Sequence, residues 1–184
     1  RTGRTALDVR YGAKSGGRFG LAVNRLALFD VLHEEVLRQG IELVTGAPIE
    51  AVEGDAAGVA LFGAGARHIG RFDLAVDTSG ARSKLRHLAR VPCEPKPLPY
   101  GALWAMLDWR EGFEPHALTQ LYDGASVMIG VLPTGKLTAD GAQKAAFFWS
   151  IKPSAFANMQ NRGLNAWKTQ VLGYWPECSA FLDQ

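Results

Sequence analysis

The sequence predicts an α+β fold in two parts, residues 1–91 and residues 92–184. Three observations carry this prediction. An amphipathic helical pattern near the start is followed by short strand-like runs that turn residues separate. Four prolines then cluster between residues 92 and 99, where we expect the chain to cross into the second part. Beyond them, aromatic-rich strands precede further helical patterns, which is typical of an antiparallel sheet with helices on one side.

The first helix is predicted over Arg25 to Gln39. Asn24 is of the residue type that caps helix N-termini, and Gly40 suits the left-handed residue that ends a helix. The helix pattern rests on apolar residues at intervals of three and four positions, which are Leu26, Phe29, Leu32, Val36 and Leu37.

Short strands are predicted in the rest of the first part. An edge-like strand is expected at 41–45, and a β-meander is expected near 48–53, 58–62 and 66–69. The glycine-containing turns between these runs favour the meander over longer strands.

The run from residue 72 to 86 predicts a strand, a polar turn and a short basic helix. The strand ends at Val76, the turn is Asp77 to Gly80, and the helix runs from Arg82 to Leu88. Ligands of α/β folds bind where strands end and helix N-termini offer free N–H groups. Gly80 permits a positive φ, and Asp77 and Ser79 can bind hydroxyls or cap the helix. An ordinary strand–turn–helix joint is the alternative.

The second part alternates strands and turns before it becomes helical. Strands are predicted at 100–109, 117–122, 126–132 and 144–151, and helices at 164–173 and from Pro176 onward. Side chains two positions apart share one face of a strand. One such set lies in the first strand and contains Tyr100, Ala102, Trp104, Met106 and Asp108, and another in the last strand contains Phe147 and Trp149.

Composition excludes several classes of function. The net charge is only +2 with scattered basic residues, so a nucleic-acid partner is not predicted. No apolar run reaches the roughly 18–20 residues that span a bilayer. Cys93 and Cys178 have no metal or redox spacing, which favours a reducing, cytoplasmic setting. The four histidines are isolated, so no metal site is predicted.

One phosphate-loop pattern is a coincidence of spacing. Gly130 to Lys136 has the glycine and lysine spacing, but Leu137 lacks the hydroxyl that holds Mg²⁺. Pro133 also removes a backbone N–H donor. We therefore predict a strand that ends in a proline-containing turn, and no nucleotide hydrolysis.

The 72–86 run resembles the second flavin-contacting motif of the p-hydroxybenzoate-hydroxylase-like FAD-dependent monooxygenases, Gly-Ala-Asp-Gly-Ala-x-Ser-x-Val-Arg after a strand. The matching residues are Gly80, Ala81, Arg82, Ser83 and Arg86. Ser79 stands where that family has aspartate. The Val-Asp-x-Ser-Gly spelling is similar to flavin-dependent halogenases and isoprenoid reductases, which stay open as alternatives.

The resemblance implies a set of cofactor contacts. Arg25 opens a segment similar to the family's Arg-x-x-Leu-x-x-x-Leu, whose arginine lies near the flavin; a surface arginine is the alternative. The residues expected to contact FAD are Arg25, Asp77, Ser79, Gly80 and Arg82. Residues 1–91 would then be part of an FAD-binding domain, with NAD(P)H or a reductase partner open as electron donor.

The resemblance also implies that residues 92–184 are part of a substrate-binding domain. Trp104, Tyr122, Met128 and Trp149 are the candidates for lining its pocket, and core packing is the alternative for each. Such side chains favour an aromatic or extended apolar small molecule as substrate. No residue stands out as a catalytic acid, base or nucleophile.

The chain lacks two other features of that family. Its first methionine is Met106, and neither the Gly-x-Gly-x-x-Gly turn nor the later Gly-Asp motif occurs. We therefore expect the central portion of a longer flavoprotein, inactive when isolated. A fold with no activity of its own is a further alternative, and the oligomeric state is not predicted.

Overall fold

The computed structural model describes residues 3–11, 19–88 and 94–184. Two compact units are present, one formed by Gln39–Pro97 and the other by Arg1–Arg38 together with Leu98–Gln184. Both contain regular elements, and the α+β class predicted from the sequence is confirmed. Cys93 and its neighbouring proline, which entered the sequence predictions, lie outside the described residues.

Helix α1 spans Arg25–Arg38, close to its predicted bounds. The Asn24 side chain caps it, because its Oδ1 accepts a hydrogen bond of 2.8 Å from the Leu26 N–H. Gly40 follows the helix with φ +66°, the left-handed conformation predicted for it. No residue of α1 is buried.

The unit of Gln39–Pro97 contains the predicted meander. Strands β1 (Ala51–Asp55), β2 (Gly58–Gly63) and β3 (Arg67–Phe72) pair antiparallel in chain order. Gly58 cannot be replaced easily, because its φ is +136° and a Cβ would lie 2.5 Å from the Phe72 carbonyl oxygen.

Two predicted strands of this unit are wrong. Residues 41–45 and 74–76 are irregular, since no described strand pairs with them, and Leu43 and Val76 are exposed. The helix predicted at 82–88 is also wrong except for one 3₁₀ turn, Arg86–Leu88. Side-chain hydrogen bonds of Ser83 and Arg86 replace the helical ones there.

The other unit contains a four-stranded antiparallel sheet in the order β4–β7–β6–β5. Its strands are β4 (Gly101–Asp108), β5 (Thr119–Asp123), β6 (Val127–Lys136) and β7 (Gln143–Ile151). The segment with phosphate-loop spacing is a strand, as predicted. It does not end at Pro133, however, because β6 continues to Lys136 through an irregularity between Pro133 and Gly135.

Helices cover one face of this sheet. Helix α2 spans Pro153–Tyr174 with a kink at Gly163 (φ +79°), and the short α3 (Ser179–Leu182) follows a 3₁₀ turn that begins at Pro176. The predicted helix at 164–173 is only the second arm of α2. Pro153, at the first helical position, is the signal for the first arm.

The core of this unit lies between the sheet and these helices. Its buried members include Ile129, Val131, Phe147, Val171 and Phe181. Within the described ranges, no helix has both the length and the apolar character that crossing a membrane requires.

Candidate functional site

The predicted flavin-contacting residues at 77–86 form a turn organised around the Asp77 carboxylate. Oδ1 accepts hydrogen bonds from the Ser79 N–H at 2.9 Å and from the Ser79 Oγ–H at 2.6 Å. Oδ2 accepts a short one from the Ser83 hydroxyl. Asp77 therefore fixes two serines that lie four positions apart.

The second half of the turn is closed by Ser83 and Arg86. Ser83 Oγ accepts the backbone N–H groups of Leu85 and Arg86 at 3.1 Å each. The Arg86 guanidinium donates to the carbonyl oxygens of Gly80 at 2.8 Å and Ala81 at 3.3 Å. These local bonds take the place of the predicted helix.

The bonds to Asp77 also change its acidity. Its pKa is lowered from 3.8 to about 2, first by the Ser79 hydroxyl, then by the Ser83 hydroxyl, the Ser79 N–H and the charge of Arg86. The carboxylate is therefore ionised at neutral pH and already holds three donors. Its part in the turn is to maintain shape rather than to transfer protons.

The α-carbon of Gly80 and the side chain of Arg82 are the parts of this turn that are open to solvent. Gly80 has φ +86°, and a Cβ there would meet no atom within 4 Å, so a ligand can approach the backbone closely. Arg82 is exposed and makes no hydrogen bond or ion pair within the described part of the chain. An exposed guanidinium beside open backbone suits an anionic or polar ligand.

Arg25 is the first residue of α1 and is exposed. It belongs to the unit that contains Leu98–Gln184, whereas the turn belongs to Gln39–Pro97. A shared contact of Arg25 and the turn with one flavin stays a prediction.

The sheet face that α2 leaves open carries an aromatic stack across three strands. Trp104 of β4, Phe148 of β7 and Gly130 of β6 are neighbours in register. The Trp104 and Phe148 rings lie 4.9 Å apart at an interplanar angle of 30°. A Cβ on Gly130 would lie 2.0 Å from Phe148 Cζ, so the glycine leaves room for that ring. Trp104 itself is 63% exposed.

Tyr122 and Met128 lie on the same open face. They are directly paired between β5 and β6, and Tyr122 is 53% exposed. The Tyr122 hydroxyl donates to Gln120 Oε1 at 3.0 Å, and Gln120 Nε2 approaches Met128 Sδ at 3.4 Å. Three of the four predicted pocket residues therefore share a surface with exposed rings.

Trp149 does not share that surface. It is only 5% exposed and lies on the helix-facing side, where its ring packs edge-on against Trp167 and Tyr174 at 6.2 and 5.6 Å. This is the core packing that the sequence left as its alternative, and contact of Trp149 with a substrate stays a prediction.

Sequence reasoning missed Phe148 and Gly130. The signal was present in the alternation of β7: if Phe147 and Trp149 face the core, Phe148 must face the other side. In the sequence, Gly130 stands out only as part of a phosphate-loop pattern, which carries no information on its packing in a strand.

Comparisons of this chain with protein-family models, with curated proteins and with solved structures find no significant match.

Proposed function

We propose that this chain is part of an FAD-dependent oxidoreductase of the aromatic-hydroxylase-like monooxygenase superfamily. In this proposal the 77–86 turn contacts the flavin, and the open sheet face binds an aromatic or extended apolar substrate. The observation that carries it is that every motif residue except Arg82 supplies part of the bonding or the open backbone of one turn.

The turn fits such a cofactor in two respects. Its shape is fixed by its own hydrogen bonds, so ordering it would cost little free energy on binding. The space beside Gly80 is open, and the exposed Arg82 supplies a positive charge for phosphate or ring oxygens. We assign Gly80 and Arg82 to contact, and Asp77, Ser83 and Arg86 to holding the turn in shape.

FAD, when bound, supplies the redox chemistry. The contribution of this chain is to bind and orient: flat apolar molecules can stack on Trp104, and the Tyr122 hydroxyl offers a polar anchor at the edge of the same surface. Burial of the ring surfaces would exclude water from the substrate.

One observation favours the second candidate, a flavin-dependent halogenase or isoprenoid reductase. The Ser79 hydroxyl is bonded to Asp77 and is therefore an integral part of the turn. A Val-Asp-x-Ser-Gly spelling belongs to those relatives, and both classes would use the same cofactor contact.

Fluorescence quenching of FAD during titration with the protein tests the cofactor part. Saturable quenching is expected, and Arg86→Gln should weaken it by about tenfold, because the bonds to two carbonyl oxygens are lost. Arg71→Gln is the matched control, since Arg71 pairs with Asp55 outside the turn. No saturable quenching by the unmodified protein, or equal weakening by both variants, would contradict the proposal.

The substrate part has its own test, with an aromatic probe such as 2-naphthol followed by calorimetry. Trp104→Ser removes the exposed ring and should weaken binding about tenfold. Met106→Ser is the control, because Met106 is exposed on the same strand but carries no ring. Unchanged binding in Trp104→Ser would contradict a site on the open face.

A further inference from the structure

A cleft separates the helix-facing side of the sheet from helix α2. It consists of two cavities of about 430 and 520 Å³, within the range of about 300–1,000 Å³ for small-molecule sites. Met159 and Trp167 line both cavities, so the two adjoin. Most of the cleft is lined from the helix-facing side of the sheet, but Trp104 also lines the smaller cavity, and Tyr100 and Ser150, which alternation places on the face of Trp104, line the larger one.

The smaller cavity is apolar. Among the side chains that line it are Leu103, Ala105, Phe147 and Leu164, and Gln160 is its single polar side chain apart from the indole groups. Its walls come from β4, from β7 and from α2 on both sides of the kink at Gly163. This end offers hydrocarbon contact and little hydrogen bonding.

The larger cavity is more polar than the smaller one and is positively charged. Lys152 and Arg162 line it together with hydroxyl- and amide-bearing residues, which are Tyr100, Ser126, Ser150, Ser154, Asn158 and Gln170, and the Ser150 hydroxyl accepts the Met128 N–H at 2.9 Å. Lys152 Nζ lies 5.6 Å from the centre of the Tyr100 ring. Among the described residues, neither Lys152 nor Arg162 forms an ion pair, and the lining of this cavity includes no Asp or Glu.

Helix α2 strengthens this charge. None of its 22 residues is acidic, and its first turn, at Ser154 and Ala155, lines the larger cavity. The positive end of the helix dipole therefore adds to Lys152 and Arg162. An anion in this cavity would therefore be attracted by Lys152, by Arg162 and by the N-terminus of α2. No carboxylate among the described lining residues would repel it.

We propose that this cleft binds an amphipathic anion, a molecule with a carboxylate head and an unbranched hydrocarbon body. The head lies at Lys152 and Arg162, and the body extends past Met159 and Trp167 toward Leu103 and Leu164. Trp149, buried on this side, forms part of the wall of the larger cavity. The proposal is independent of flavin binding, because it does not use the 77–86 turn.

Decanoate is the probe, kept below its micelle concentration and followed by calorimetry and by the fluorescence of Trp149 and Trp167. We expect saturable binding of one decanoate per chain. Octanoate should bind roughly fifteenfold more weakly, since it lacks two methylenes and each buried methylene changes affinity about fourfold. Decanol, with the same chain and no charge, should bind at least about fivefold more weakly than decanoate.

Variants locate the two ends of the ligand. Arg162→Gln should weaken decanoate binding about threefold to fivefold and leave decanol binding unchanged. Lys168→Gln is the matched control, because Lys168 belongs to the same helix but does not line the cleft. Leu164→Ser, at an exposed position where folding tolerates a polar side chain, should reduce the difference between decanoate and octanoate.

Three results would each overturn the proposal. They are equal affinity for decanoate and decanol, equal weakening by Arg162→Gln and Lys168→Gln, and no saturable binding of decanoate at millimolar concentration. The Arg162→Gln variant should quench FAD fluorescence as the unmodified protein does. A wrong assignment of the cleft can therefore be distinguished from a wrong assignment of the flavin site.

Discussion

In the four-stranded sheet, Phe147 is 1% exposed and packs among other rings, whereas every residue from Arg71 to Arg82 is exposed. The four-stranded sheet is stabilised by apolar contacts between β7 and α2. None of the residues 77–86 is buried in the described part of the chain, and the turn is held by hydrogen bonds between residues two to six positions apart.

This contrast separates two kinds of stability. A buried ring is stabilised by the whole unit, so its loss should lower the free energy of global unfolding. A bonded surface turn can open without disturbing the rest of the chain, so the loss of one bond should be local. Substitutions in the two regions should therefore differ in the size of their effect on stability.

Phe147→Ala should have the largest effect, about 3–5 kcal/mol of unfolding free energy. The ring is fully buried beside Val131 and packs edge-on against Trp167 at 6.0 Å, so its removal leaves a cavity. Urea unfolding followed by tryptophan fluorescence measures it. Leu74→Ala, at a position 74% exposed, is the control and should stay within about 0.5 kcal/mol. Equal losses of unfolding free energy in the two variants would contradict the difference between the buried ring and the exposed segment.

Gly130→Ala should cost about 1–3 kcal/mol through overpacking. The added methyl group would collide with the Phe148 ring, which lies across the glycine. The double variant Gly130→Ala/Phe148→Leu should recover part of this loss by making room, as measured by urea unfolding. Additive losses in the double variant would show that the two residues do not share one packing site.

Asn24→Ala should cost about 1 kcal/mol by removing the cap of α1. Because α1 has no buried residue, the change should appear as fraying at Arg25 and Leu26. Amide hydrogen exchange of these residues measures it. Asn161→Ala, in the middle of α2, serves as the control. If Asn24→Ala speeds amide exchange in α2 instead of in α1, the capping role is contradicted.

The smallest effect is expected at Asp77 and concerns pH. Its folded-state pKa is lowered to about 2, so the ionised form stabilises the turn fully above the ordinary value of 3.8. That contribution disappears as the pH falls through about 2. The carboxyl ¹³C shift of Asp77 should titrate near 2, and Ser83→Ala should move the midpoint upward.

Ser126→Ala is the control for that titration, since its hydroxyl donates to the Asp123 carbonyl oxygen and not to the turn. A midpoint for Asp77 that is unaffected by Ser83→Ala would mean that the short bond to Ser83 does not hold in solution.

The same contrast explains how far the sequence predicted the fold. The periodicity of apolar residues and the turn residues were enough to predict α1, the meander and the four strands of the larger sheet. Each of these patterns reflects a local geometry or a buried face. The strands predicted at 41–45 and 74–76 were wrong. A strand has to pair with another strand, and an apolar run does not show whether such a partner is present. The helix at 82–88 was wrong because side-chain bonds from Ser83 and Arg86 outcompete the helical ones.

The candidate site was predictable in part. Alternation groups Trp104 with the other residues of one face of β4, but only the pairing of β4, β7 and β6 shows that it stacks over Phe148 and Gly130. The cleft beside α2 was not predicted, because its first arm was missed. Lys152 and Arg162 are brought to one cavity by that arm alone.

Amide chemical shifts during an FAD titration reveal whether FAD contacts the 77–86 turn. We expect saturable shifts of the Ser79, Gly80 and Arg82 amides, with the meander residue Val52 unchanged. Saturable binding that leaves all amides of the turn in place would contradict this contact, and so would the absence of any saturable shift.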